Sequence, residues 1–124
     1  MKALLPVTIF AVLCAGTALA ECPAPASTVN VPDGNTATMQ EMLAAQSAVK
    51  TYDTDVKAFA ACLQTEQDAA VAKGGANMTE SERTAINKRY TEMQNVEVDK
   101  LKKVADQFNA ALKAYRAKNP PAPK

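Results

Sequence analysis

The sequence predicts an all-α protein: a long antiparallel two-helix hairpin, coiled-coil-like, preceded by an extended N-terminal strap. Three observations carry that prediction. Apolar residues recur in steps of three and four from Met42 to Ala70, through Ala45, Val49, Tyr52, Val56, Phe59 and Leu63, which marks a helix with one buried seam. Two Thr-x-x-Glu capping boxes, Thr38 to Glu41 and Thr79 to Glu82, flank Gly74-Gly75, so two helices meet at a short break. Ahead of the first box, residues 21–37 contain Pro23, Pro25, Pro32 and Gly34 among Ser, Thr and Asn, a composition that resists helix and strand alike.

In chain order, Met1 to Ala20 reads as a secretory signal peptide: Lys2 starts it, Leu4 to Ala15 is apolar, and Ala18-Leu19-Ala20 is a small-x-small cleavage site. The apolar run is short of the ~20 residues that a membrane-spanning helix takes. Nothing later in the chain is more apolar, so no integral membrane segment is expected after cleavage. Cys14 follows Leu13, where a lipid-acceptor cysteine wants a small residue, so it is read as part of the signal rather than as a lipoprotein site. The expected mature chain starts at Glu21, forms one small domain and resides in the periplasm. Losing Lys2 leaves it with as many Lys and Arg as Asp and Glu. A neutral chain carries no electrostatic footprint for nucleic acid.

The strap, 21–37, includes Val31-Pro32-Asp33-Gly34, a turn signal in which Pro32 presets φ and Gly34 tolerates positive φ. The helical hairpin occupies 38–118, with a first helix over 39–73, a turn over 74–78 and a second helix over 80–118. Lys113, Arg116 and Lys118 suit the dipole at its end, and Pro120-Pro121 stop it. The expected second seam is Ile86, Tyr90, Met93, Val96, Leu101, Val104, Phe108, Leu112 and Tyr115. A turn centred near Ala76 then sets Phe59 against Met93, Val56 against Val96, Tyr52 by Leu101, Val49 by Val104 and Met42 by Phe108. Toward the turn the facing residues shrink to Ala69, Ala70 and Ala72, so that end is expected to be looser. A stiff proline-rich tail, 119–124, follows.

Two helices make a thin core, and small exported chains add a staple. The mature chain has two cysteines, Cys22 and Cys62, in a compartment that permits disulfides. Cys62 lies roughly 36 Å up the first helix, and the strap can reach roughly 53 Å. The expected arrangement therefore lays the strap back along the first helix, with Val29 and Val31 over the Ala45, Ala48 and Tyr52 region and a Cys22–Cys62 bond at its end. An intermolecular bond and free thiols are the alternatives.

The chain has no histidine, which removes the usual general base, the His-assisted nucleophiles and the commonest metal ligand. The carboxylate pairs Asp53 with Asp55, Glu66 with Asp68 and Glu97 with Asp99 stand two residues apart, so their side chains diverge around a helix. They read as solvated faces, with Asp53–Lys57 and Asp99–Lys103 as ion pairs. Met42 and Met93 fall on the seams, where packing is the default over copper ligation. No catalytic, cofactor-binding or metal-binding residue is assigned. Cys22 and Cys62 are the site residues, as a disulfide.

The segments VPDGNTATMQEMLAAQSAVKTYDTDVKAFAACLQ (31–64) and DQFNAALKAYRA (106–117) resemble a family of small exported helical proteins of Gram-negative bacteria, of uncharacterised function. Met78-Thr79-Glu80-Ser81-Glu82 is more distantly similar to the helix openings of periplasmic stress chaperones, with Met for Leu and Glu for Gln. These resemblances imply helices and turns without an active site. The function expected is that of a non-enzymatic interaction or structural element of the cell envelope, with Leu43 and Val98 extending an apolar stripe toward a protein partner or a second copy. The alternatives are a holdase-type chaperone and a small inhibitor of an envelope hydrolase.

Overall fold

The computed structural model describes residues 21–25 and 28–121, so the expected signal peptide and the last three residues of the tail lie outside the described residues. Helix α1 spans Met39–Gly74 and helix α2 spans Glu80–Lys118, joined by a single 3-10 turn, Gly75–Asn77. Both capping boxes close. The Thr38 hydroxyl accepts from the Glu41 N–H at 3.2 Å while the Glu41 carboxylate accepts from the Thr38 N–H at 2.7 Å, and Thr79 with Glu82 repeats the pattern at 3.2 and 2.8 Å. The backbone amides that these two glutamates accept from hold both carboxyls below their ordinary value. At the other end of α1, Gly75 takes φ +58° with ψ −154°, a positive-φ conformation that costs glycine least.

The helices pack as an antiparallel hairpin. Met42, Ala45, Tyr52, Val56, Phe59 and Leu63 are the buried residues of α1, all of them on the expected seam. Cross-helix hydrogen bonds from Tyr52 to Glu97, Gln94 to Ala60 and Gln67 to Asn87 place the register within about three residues of the one a turn near Ala76 demands.

The second seam differs from expectation in its middle. Met93 is 36% and Val96 53% exposed, whereas Glu97 is only 5% exposed. The inward line of α2, buried at Glu97 and Phe108 and half-buried elsewhere, runs through Tyr90, Gln94, Glu97, Leu101, Val104, Phe108, Ala111 and Tyr115, keeping steps of four and three throughout. The apolar choice of Met93 and Val96 needs a step of five to reach Leu101. A helix cannot make that step without rotating the seam away from its partner.

The strap forms a third layer. Val31 and Ala37 pack on a cluster of Met42, Ala45 and Phe108, together with Val49, Ala111, Leu112 and Tyr115. The turn after Pro32 is organised by Asp33: its carbonyl accepts from the Thr36 and Ala37 N–H groups at 3.0 and 2.8 Å, and its carboxylate accepts from the Asn35 N–H at 2.9 Å. That bond, with a second from the Asn35 side-chain amide at 2.9 Å, lowers the Asp33 pKa. Gly34 is not at positive φ, since among the described residues only Gly75 is. Glycine is required there for close approach: a Cβ would collide with the Ala111 carbonyl oxygen and stand 2.9 Å from the Tyr115 nitrogen. The strap thus leaves α1 and rests on the backbone of α2, instead of lying on the first helix alone.

Candidate functional site

An antiparallel hairpin has two long sides where the flanks of the two seams meet. The described parts of the strap run along one of them. Near the disulfide, Pro23, Ala24 and Pro25 face Asp55, Ala58, Phe59 and Cys62. Farther along, Val31 to Asn35 face Gln107, Ala110, Ala111 and Ala114. Small side chains on α2 make room for the main chain of the turn.

Cys22 and Cys62, 40 positions apart in sequence, are joined with a Cα–Cα distance of 5.8 Å. The Cys22 N–H donates to the Glu66 carboxylate at 3.1 Å, which ties the end of the strap twice to α1. The two sulfurs and a Glu66 oxygen lie within 4.8 Å of one another. With both sulfurs held in the S–S bond, the cluster is a crosslink and offers no thiolate to a metal.

The other side is open at the end of the hairpin remote from the turn. Met39, Met42, Leu43 and Gln46 of α1 face Phe108, Leu112, Tyr115 and Arg116 of α2, with Asn119 and Pro121 at the edge, around a groove of about 500 Å³. Its floor is buried or half-buried at Met42, Phe108 and Leu112, while its lips, Met39 and Leu43, are 59% and 57% exposed. Helical periodicity carries the same side onward. Lys50 and Lys57 stand seven and fourteen residues beyond Leu43, Lys102 stands fourteen before Arg116, and the exposed Val98 stands fourteen before Leu112. Nearer the turn this side is closed by polar contacts, Gln94 Nε2 to the Ala60 carbonyl at 3.4 Å and Gln67 Nε2 to Asn87 at 2.7 Å.

Between the two sides sits one polar cluster in the seam itself. The Tyr52 hydroxyl donates to Glu97 at 3.3 Å, and Lys100 Nζ pairs with the other Glu97 oxygen at 2.7 Å. Burial first, and the neighbouring Glu97 charge second, push the Tyr52 pKa up. The hydrogen bond from Lys100 to Glu97 raises the lysine. Glu97 is therefore no part of a solvated face, as its pairing with Asp99 in sequence suggested. Tyr52 is 2% and Glu97 5% exposed, so a substrate reaches neither of these two groups, and only Lys100 of the cluster meets solvent. Its physical effect is on register, because a buried carboxylate loses its partners if the helices slip. An uninterrupted step of three and four on α2 is the signal that would have found Glu97 in the sequence.

The other expected pairs divide. Asp53 and Lys57 are joined at 2.6 Å, but Asp99 and Lys103 form no ion pair among the described residues. Met42 is in the core and Met93 is not. No protein-family model, no curated protein and no solved structure matches this chain.

Proposed function

We propose that this protein is a non-enzymatic interaction or structural element of the cell envelope, acting in the periplasm as a rigid helical hairpin. The observation that carries this reading is the unequal treatment of the two sides of the hairpin. One side carries the strap, stapled at Cys22 and Cys62, while the other carries no strap and leaves Met39 and Leu43 exposed beside a concave apolar floor. Contiguous apolar surface of this kind on a small chain marks a contact site. The absence of histidine from the sequence and the sealed position of Tyr52 and Glu97 agree with a role in binding rather than turnover. The disulfide suits an oxidising compartment, and no helix among the described residues is long and apolar enough to cross a membrane.

Photo-crosslinking in intact cells tests this. A photoreactive residue at Leu43 should give discrete adducts in the periplasmic fraction, and one at Ala61, also exposed but away from both sides, should not. Equal or absent labelling at the two positions would remove the reading. Suppression of client aggregation that survives Leu43→Asp would favour a holdase instead.

A further inference from the structure

We infer that the open side of the hairpin docks an acidic amphipathic helix of another protein, about four turns long, lying along the groove between α1 and α2. The inference rests on the reading of the protein as an interaction element and adds the chemistry of the partner.

Shape comes first. The floor at Met42, Phe108 and Leu112 is recessed between two helices, with Leu43 and Met39 as raised lips. A groove between parallel ridges takes a third ridge, and an apolar helical stripe at spacings of three and four supplies one. From Leu43 to Lys57 the side runs roughly 21 Å at 1.5 Å per residue, which sets the length. Methionines in the lining can repack around side chains of differing shape. A flat bilayer surface cannot reach a recessed floor.

Charge decides the partner's sign. Lys50, Lys57, Lys102 and Arg116 line the rims of this side by helical spacing, and Asp53 is the acidic residue among them, already paired to Lys57 at 2.6 Å. Lys50, Lys102 and Arg116 form no ion pair among the described residues. The strap side is balanced by contrast, with Glu41 and Asp55 against Lys100 and Lys103 at the corresponding positions. A chain with balanced charge overall has gathered cations along its uncovered groove, where they complement carboxylates on the flanks of an incoming helix. The same charges oppose a second copy docked through this side, since two like-charged rims would then face each other.

The test uses the disulfide-bonded chain starting at Glu21 and two labelled 16-residue peptides. Both carry leucine in the same pattern of three and four, one with Glu at its remaining exposed positions and one with Lys. Fluorescence anisotropy should show the Glu peptide binding at least about tenfold more tightly than the Lys peptide, with affinity falling as salt rises. Leu43→Asp should weaken the Glu peptide about tenfold, and Lys102→Glu with Arg116→Glu should reverse the preference, while circular dichroism stays helical for both variants. Equal binding of the two peptides, or binding of neither, overturns the inference and leaves the crosslinking test of the broader reading intact. It is also overturned if anionic phosphatidylglycerol vesicles bind with the same dependence on Leu43 and Arg116, or if sedimentation shows a dimer that Leu43→Asp dissolves.

Discussion

The two ends of the hairpin are built from the same kind of helix and are held in different ways. At the end remote from the turn, three layers meet: Val31 of the strap covers a cluster of Met42, Ala45 and Phe108, and Gly34 touches the main chain of α2. At the turn end no residue from Gln64 to Val96 is buried. There the alanines at 69, 70 and 72 bring little apolar area, and the chain relies on helix propensity, the Thr79 cap and the Gly75 turn. Two helices alone bury too little to be rigid. A strap of fewer than twenty residues changes that for the part of the hairpin it covers.

Cutting the staple should have the largest effect on this contrast. Replacing Cys22 and Cys62 together by serine frees the strap and, in the chain-entropy view, costs about 4 kcal/mol. Hydrogen exchange should then show the strap end losing its protection down to the level of the turn end. Retained protection at Met42 to Val49 would mean that the strap is held by packing alone.

Leu63 marks the border between the two regime. It is fully buried, so Leu63→Ala should cost about 3 kcal/mol in denaturant melts, whereas Val71→Ala, eight residues nearer the turn, should cost less than about 1 kcal/mol. Similar costs would mean that the turn end is as well packed as the rest.

The polar cluster at mid-length gives the contrast a sign. Tyr52→Phe with Glu97→Leu removes a buried hydrogen bond and half of an ion pair together, and should raise stability by about 2 kcal/mol while loosening register, measured as broader cross-helix distances between spin labels. The wild-type chain also carries an alkaline signature. The Tyr52 pKa is raised in the folded state, first by burial and then by Glu97, so the folded chain keeps that proton to higher pH than the unfolded chain. The stability it contributes is complete below the unfolded value of about 10 and is lost as pH climbs through the folded one. Melts between pH 9 and 12 should lose less stability in the double variant.

The smallest effect separates the two caps. Thr38→Ala and Thr79→Ala each remove the hydroxyl that accepts from the glutamate N–H and donates to its carboxylate, a loss of about 1 kcal/mol. Removing the Thr38 cap should lower the global unfolding midpoint, because α1 begins inside the three-layer end. Losing the Thr79 cap should instead fray the first turns of α2, faster in amide exchange, with little change in midpoint. Equal midpoints for both would show the hairpin unfolding as one unit.

Much of this architecture was legible in the sequence. Capping boxes, the Gly-Gly stop and a seam of steps of three and four act through residues within a turn or two of one another, so the helix ends fell within a residue of expectation at Thr38, Gly74 and Thr79. The Cys22–Cys62 bond was the arrangement expected from cysteine count and the reach of the strap, with an intermolecular bond and free thiols left open until the packed chain joined the pair. Three features were settled only by the packed chain: the burial of Glu97 in place of Val96, the seating of Gly34 on α2, and the split between a side that carries the strap and one that does not. Each depends on what stands across an interface. A carboxylate can be buried because Tyr52 and Lys100 meet it there, and a glycine can touch a helix because Ala110, Ala111 and Ala114 leave space. Hydrophobic patterning along one helix carries neither fact, since it records which residues avoid water on average and not which partners a fold brings to them.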